Sequence, residues 1–288
     1  MIPVLIGIGG ANLIGIGGAK VISDFWSADK YESQALNVNY EAFTMVETAS
    51  RRLRSQYEKL EGTMTKLANR KRGIMSGSLP KFIEVHEKII QINLETLPSV
   101  DVKNLALRPE NLREMNQMIS VSGIQMSDKE IVSTFLFSIE YGVLLGGILG
   151  GISGAIKKDA KIKLDIANTR GDEADTIAYN IDNARVALEG IESKAESVLK
   201  LITTMNALFL KSIRYTSEII NRNGFNVEDY SNADIDAIMN CCNFAKGISD
   251  ILKAPLFDDN GKLHKQINET LRVGNEYVQK MQTVLGGK

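Results

Sequence analysis

The chain has 288 residues, enough for one large domain or two ordinary ones. Its 34 basic and 35 acidic side chains give a net charge of -1, which argues against nucleic-acid binding because that usually requires a basic excess. Aromatic residues make up only 6% and there are five prolines, a composition that suits long helices better than sheets. The composition therefore predicts an all-α protein with no nucleic-acid partner.

The chain begins with an apolar segment, residues 2–19, built on a doubled unit, LIGIGGAN followed by LIGIGGAK. Taken in steps of four, the repeat places Gly7, Ala11, Gly15 and Ala19 on one face of a helix. Rows of small residues at this spacing let helices approach closely, and transmembrane helices commonly pack in this way. Because each glycine costs a helix about 1 kcal/mol relative to alanine, the row indicates a packing role.

A heptad run follows, and it predicts long helices over residues 31–94. Apolar side chains recur every three or four positions over 43–74, with Ser50 and Lys71 as the two exceptions. We expect an interruption at SGSLP, residues 76–80, because proline lacks a backbone donor and crowds the preceding turn.

The second apolar segment lies in a helix predicted over residues 127–169. A short helix is expected after Pro109, and Ser127 with Glu130 three residues later forms a capping box that begins the next helix. Every fourth position of this helix is then a glycine: Gly142, Gly146, Gly150 and Gly154. A basic cluster follows, either as a solvated helix face or as a contact for anionic lipid head groups: Lys157, Lys158, Lys161 and Lys163.

A second heptad run predicts a long helix over 172–223, ended by Gly224. Two shorter helices are expected within 232–288, and no strand pattern is present. Neither long helix can bury its apolar seam alone, so we expect the two to pair as antiparallel, coiled-coil-like helices. We interpret the chain as a single elongated helical domain over 1–288, with the two glycine-rich helices near each other at one end.

Both apolar segments are marginal as membrane spans. Residues 2–19 would form a helix of roughly 27 Å against an apolar bilayer core of about 30 Å, and the uncharged stretch 141–156 is shorter. Lysines follow both segments, so the positive-inside rule places both C-terminal ends on one side, which conflicts with two simple spans. Conditional insertion, a re-entrant hairpin, surface attachment and shelter within a soluble bundle all stay open. Glu140 either faces solvent or a lysine, or stays protonated on insertion.

No catalytic, cofactor or metal site is recognisable in the sequence. GIGGAK at 15–20 lacks both the glycine before the lysine and the hydroxyl residue after it that a phosphate loop needs. The turn DDNG at 258–261 lacks ligands at the first and last positions of a calcium loop. His86 and His264 are far apart in ordinary amphipathic helices and are expected to be surface or interface residues.

The two cysteines favour a reducing compartment. Cys241 and Cys242 are adjacent, so no disulfide framework is expected, and we predict one buried and one half-exposed thiol. With no secretory signal peptide recognisable, we expect a cytoplasmic protein with peripheral or conditional membrane association. Secretion without a signal peptide stays open.

The heptad helices at 43–74 and 181–219, with the apolar segment at 131–156, give a layout that resembles helical pore-forming toxins of the cytolysin A and tripartite enterotoxin type. In those proteins a long helix bundle shelters an apolar segment that unfolds onto a membrane and oligomerises. The N-terminal glycine-rich segment departs from that pattern. SGSLPKFIEVHEKI at 76–89 and ILKAPLFDDNGKL at 251–263 also resemble a group of bacterial glycine-zipper, long-helix proteins with the same layout.

Two hypotheses of function follow. In the first, a non-enzymatic helical protein binds, remodels or perforates a lipid membrane through paired glycine-zipper segments and self-associates through them. In the second, a soluble structural or partner-binding bundle packs the glycine segments into its core, and the helices at 232–285 offer the surface for a protein partner. Neither hypothesis needs a cofactor.

Overall fold

The computed structural model describes residues 40–94, 107–136, 171–257 and 263–286. Within these ranges the chain forms six α-helices, a short 3-10 helix and one isolated β-bridge, which confirms the all-α prediction. The helices are α1 (Tyr40–Gln91), α2 (Pro109–Ser122), α3 (Asp128–Leu136), α4 (Gly171–Asn223), α5 (Asn232–Lys253) and α6 (Ile267–Gly286). The 3-10 helix, Val227–Asp229, connects α4 to α5.

Helix α1 runs unbroken through Pro80, so the interruption predicted at 76–80 is wrong. A proline inside a helix removes one donor and crowds the carbonyl one turn earlier, here that of Ser76. Ser76 is itself exposed, so this turn of α1 lies on the solvent side of the helix. The neighbouring side chains of Leu79 and Phe82 are fully buried, and this apolar burial holds the helix together across the proline.

Helix α4 confirms the second heptad run. Its heptad positions are buried without exception from Leu188 to Ile219. The helix ends where the sequence predicts, because Gly224 adopts a φ of 70° and its N–H donates to the Ile220 carbonyl at 2.8 Å. A left-handed residue at this position favours glycine, which has no β-carbon to clash.

The chain divides into two compact units, and α1 and α4 each run through both. The first unit comprises Met1–Thr65, Val132–Glu196 and Leu256–His264, and the second comprises Lys66–Ile131, Ser197–Pro255 and Lys265–Lys288. The single elongated domain inferred from the sequence stays a prediction.

In the second unit the two long helices run in the same direction. Ser78 of α1 donates to the Asn206 side chain of α4 at 2.6 Å, and the ring of Phe82 lies 5.7 Å from that of Phe209. Asn206 and Phe209 lie 128 and 127 positions after their partners, a nearly constant offset that only parallel helices give. This corrects the predicted antiparallel pairing for this unit. The long connection between the helices, which contains α2 and α3, lets the chain return to the starting end.

Helices α5 and α6 complete the core of the second unit. Helix α5 runs back along α4, since Arg222 pairs with Asp234 at 2.7 Å and Phe209 meets Phe244 ten residues further along α5. Helix α6 reverses again and stacks Tyr277 on Phe244, with ring centroids 5.5 Å apart. An aromatic row from Phe82 to Tyr277 thus crosses four helices and forms the centre of this core.

Candidate functional site

The residues singled out from the glycine rows and the basic cluster lie outside the described residues. They are Gly7, Ala11, Gly15, Ala19, Gly142, Gly146, Gly150, Gly154, Lys157, Lys158, Lys161 and Lys163. Glu140 and the turn at 258–261 also lie outside them. The glycine-zipper and head-group interpretations therefore stay predictions, and the candidate site begins with the helix that leads into the second glycine row.

That helix, α3, begins at the predicted pair of Ser127 and Glu130. The backbone N–H and the hydroxyl of Ser127 both donate to the Glu130 carboxylate, at 2.8 and 2.7 Å. These two hydrogen bonds hold the pKa of Glu130 below its usual value. The N–H of Ile131 donates to the Ser127 carbonyl at 2.9 Å, which closes the first helical turn. The predicted start of the helix is confirmed, whereas its predicted continuation to residue 169 lies beyond the described part of α3.

The last described turn of α3 is fixed to the first unit by its backbone. The carbonyl of Leu136 accepts hydrogen bonds from the N–H groups of Leu256, at 2.8 Å, and Phe257, at 3.2 Å. Both lone pairs of this carbonyl are therefore used. Phe257 forms the β-bridge with Leu263, and the N–H of His264 donates to the Leu256 carbonyl at 2.9 Å. We call this arrangement the Leu136 anchor; it holds the chain just before the second glycine row.

A second unusual group is the amine of Lys71, on a heptad position of α1. The side chain is 1% exposed, and its Nζ donates to the carbonyls of Leu252, at 3.1 Å, and Ala254, at 2.7 Å. Both carbonyls belong to the C-terminal end of α5, where helix geometry leaves carbonyls without intrahelical partners. Burial lowers the pKa of Lys71 to about 7. We call the amine and its two acceptors the Lys71 cap.

The next residue of α1, Arg72, binds the C-terminal carbonyls of α2. Arg72 donates through Nε to the carbonyl of Ser122 and through a terminal nitrogen to that of Ile124, each at 2.8 Å. A cation at a helix C-terminus also interacts favourably with the helix dipole. Two successive residues of α1, Lys71 and Arg72, therefore bind the ends of two different helices.

Lys253 on α5 shows how a lysine near the Lys71 cap behaves when carboxylates are present. Its Nζ contacts Glu114 of α2 at 2.6 Å and Asp250 at 3.2 Å. Partial burial lowers the pKa of Lys253, but hydrogen bonds to these carboxylates outweigh it and raise the pKa above its usual value. Lys71 differs because its amine meets carbonyls and its burial is complete.

The two thiols and the imidazole of His86 are all removed from water to some degree. Cys241 and Cys242 are both fully buried, so the prediction of one half-exposed thiol is wrong. Burial raises the pKa of both thiols, which keeps them protonated and poorly nucleophilic. His86 is half-buried against the ring of Phe82, 5.7 Å away, and burial lowers its pKa. Across the described ranges, no cluster of His, Cys, Asp and Glu is arranged to hold a metal ion.

The comparisons with known proteins identify no relative. No protein-family model, curated protein or solved structure matches this chain. Among the helices that the structure describes, none has both the length and the apolar character needed to cross a bilayer.

Sequence reasoning missed the Lys71 cap, although a signal for it exists. Lys71 stands at a core position of a heptad run whose only other polar residue is Ser50, which indicates burial of its stem. The acceptors lie 181 and 183 residues away along the chain, so no local pattern could have identified them.

Proposed function

We propose that this is a non-enzymatic helical protein that binds lipid membranes and remodels or perforates them through its two glycine-rich segments, 2–19 and 131–156. The observation that carries the proposal is the strict four-residue spacing of Gly142, Gly146, Gly150 and Gly154 in a segment that begins at a fixed helix. Small residues at this spacing permit close helix packing in an apolar solvent, where bulky side chains hold helices apart.

The described helices support the assignment of a scaffold role to the bundle. In the second unit the heptad seams of α1 and α4 are filled by one another and by α5 and α6, as the aromatic row from Phe82 to Tyr277 illustrates. Within the described ranges, the side chains of these four helices fill the centre of this core. The proposal assigns the glycine rows to lipid and to each other, with self-association through the same faces.

The Leu136 anchor also supports a bundle that acts as the scaffold and glycine rows that contact lipid. Two backbone hydrogen bonds hold α3 at Leu136, just before the glycine row that starts at Gly142. A membrane-active segment needs a fixed base to transmit its binding energy to the rest of the molecule. The lysines from Lys157 to Lys163 would add electrostatic attraction to anionic head groups, worth about 1 kcal/mol for each lysine near the surface.

Flotation and dye release with vesicles of neutral lipid, and of neutral lipid mixed with anionic lipid, test this proposal. The wild-type protein is expected to float with vesicles and to release trapped dye, more strongly with anionic lipid. Replacing Gly146 and Gly150 together by leucine should reduce both signals at least about tenfold, because the branched side chains fill the bare helix face.

Gly190→Leu is the matched control. Gly190 lies on the exposed side of α4, and a β-carbon there would meet no neighbour within 4 Å. This variant should keep wild-type flotation. A folded wild-type protein that floats with no vesicle composition would overturn the proposal. If the double variant instead unfolds the protein without altering lipid binding, the soluble, partner-binding bundle is the better description, with α5 and α6 as its surface.

A further inference from the structure

The amine of Lys71 has hydrogen-bonding partners that match its neutral form. A neutral amine has two N–H donors and an ammonium has three. The structure supplies two carbonyl acceptors, on Leu252 and Ala254, and the side chain is sealed from water. The ammonium form would therefore bury a third N–H and a full positive charge, which is costly without a compensating carboxylate.

Among the described residues, the surrounding elements do not supply that carboxylate to Lys71. The ionisable side chains next to the Lys71 cap, along the sequence or through a contact, are Arg70 and Arg72 on α1, Glu114 on α2, and Asp250 and Lys253 on α5. Glu114 and Asp250 are paired with Lys253, at 2.6 and 3.2 Å. Arg272 is paired with Glu269 and Glu276 at the surface. Within the described chain, burial is the cause of the lowered pKa of Lys71.

The position of the amine determines what its protonation affects. Its acceptors form the last turn of α5, which otherwise closes with the Ala254 N–H on the Asp250 carbonyl at 3.1 Å. When this turn opens, the amine reaches water, where its charged form is stable, and both carbonyls are hydrated. Opening is therefore coupled to proton uptake by thermodynamic linkage.

We propose that the end of α5 is a proton-sensitive closure, in which the last turn packs over the neutral amine of Lys71 and loosens when the amine gains a proton. This device does not depend on membrane binding. The chain passes from the last turn of α5 through Pro255 to Leu256 and Phe257. The N–H groups of these two residues donate to the Leu136 carbonyl. The closure thus precedes the Leu136 anchor by two residues in sequence.

Methyl NMR of the full-length protein with labelled Ile and Leu tests the closure between pH 5.5 and 9. The methyl groups of Leu252, fully buried in the last turn, should shift or broaden with one midpoint near pH 7, the pKa of Lys71. Ile238, equally buried but more than three turns earlier in α5, is the internal control and should not follow that titration.

Lys71→Met keeps the length of the apolar stem and removes the titrating amine, so it should abolish the Leu252 titration. Lys66→Met, at an exposed position of α1, should leave it unchanged. A wild-type Leu252 signal that stays constant across the range overturns the closure even if Lys71→Met fails to fold. A titration that persists in folded Lys71→Met overturns it as well, because another group would then be responsible.

Discussion

Ser50 and Lys71 occupy heptad positions of α1 where the pattern favours apolar side chains, and both are buried. The four-carbon stem of lysine has the reach and apolar character of methionine, so it can fill a core position if the amine finds acceptors. At Lys71 those acceptors are carbonyls at a helix end, which need a donor in any case. Burial in α1 thus follows the period of the helix more closely than the polarity of the residue.

The pH dependence of unfolding is the first prediction at this scale. The folded-state pKa of Lys71, about 7, lies below the usual lysine pKa of 10.5, so the unfolded chain binds more protons between these two pH values. Stability is therefore expected to rise with pH across this window, by up to about 1.4 kcal/mol per pH unit, and to lose this dependence below pH 7.

Urea unfolding of the wild type and of Lys71→Met at intervals from pH 6 to 10 measures this effect. Other groups also titrate in this range, so the decisive quantity is the difference in slope between the two proteins. Lys71→Met should lack the rise, whatever its absolute stability, because the two carbonyls that it leaves without a donor carry no titratable proton. Equal slopes would show that Lys71 is charged in the folded protein.

At the scale of the helical element, α6 packs closely against α4 and α5 at Gly274, which has no side chain. A β-carbon on Gly274 would lie 2.5 Å from one methyl carbon of Leu201 and 3.1 Å from one of Ile251. Leu201 and Ile251 are themselves buried, so they have little room to move. The glycine therefore sets the distance of α6 from α4 and α5.

Alanine substitutions at two glycines separate this packing from helix propensity. Gly274→Ala should lower the free energy of unfolding by about 1 kcal/mol, because overpacking costs about 1–3 kcal/mol and exceeds the propensity gain of about 1 kcal/mol. Gly73→Ala, at an exposed position of α1 with open space around the new methyl, should raise it by roughly 0.5–1 kcal/mol. Urea unfolding measures both, and a stabilised Gly274→Ala would contradict the close approach.

The helical elements were predictable to the extent that local rules determine them. The hydrogen bond from the Ser127 N–H to Glu130, the proline start of α2 and the glycine end of α4 act within one helical turn, and each is found as predicted. The continuity of α1 through Pro80 was missed because tertiary burial around Leu79 and Phe82 overrides the local cost of proline.

The relative direction of α1 and α4 and the partners of Lys71 could not be predicted from the sequence, for a related reason. A heptad seam identifies the face that a helix buries, but it fits a parallel or an antiparallel partner equally well. The offset between Ser78 and Asn206 is set by the whole connection between α1 and α4. The Lys71 cap depends on that connection too, since α5 must return along the bundle to bring Leu252 to α1.

At the scale of the whole molecule, the chain has the same order twice: a glycine-rich apolar segment and then a long helix. Residues 2–19 precede α1, and residues 131–156 precede α4. In the second unit these two helices run in the same direction, as the Ser78 and Phe82 contacts show. If the segments act as a pair, as we propose, both should be needed for the protein to bind a membrane.

A thermodynamic cycle on vesicle binding tests this pairing. Its corners are the wild type, a chain lacking residues 2–19, the Gly146→Leu/Gly150→Leu variant, and the combination of the two changes. Groups that act as a unit give non-additive losses, so the combination should bind about as weakly as either change alone. Circular dichroism and the urea midpoint should stay near wild type in all four proteins, because the core of the second unit is formed by α1, α4, α5 and α6. Losses of binding free energy that add would show that each segment contacts lipid independently, and the paired glycine rows would then have no role in membrane binding.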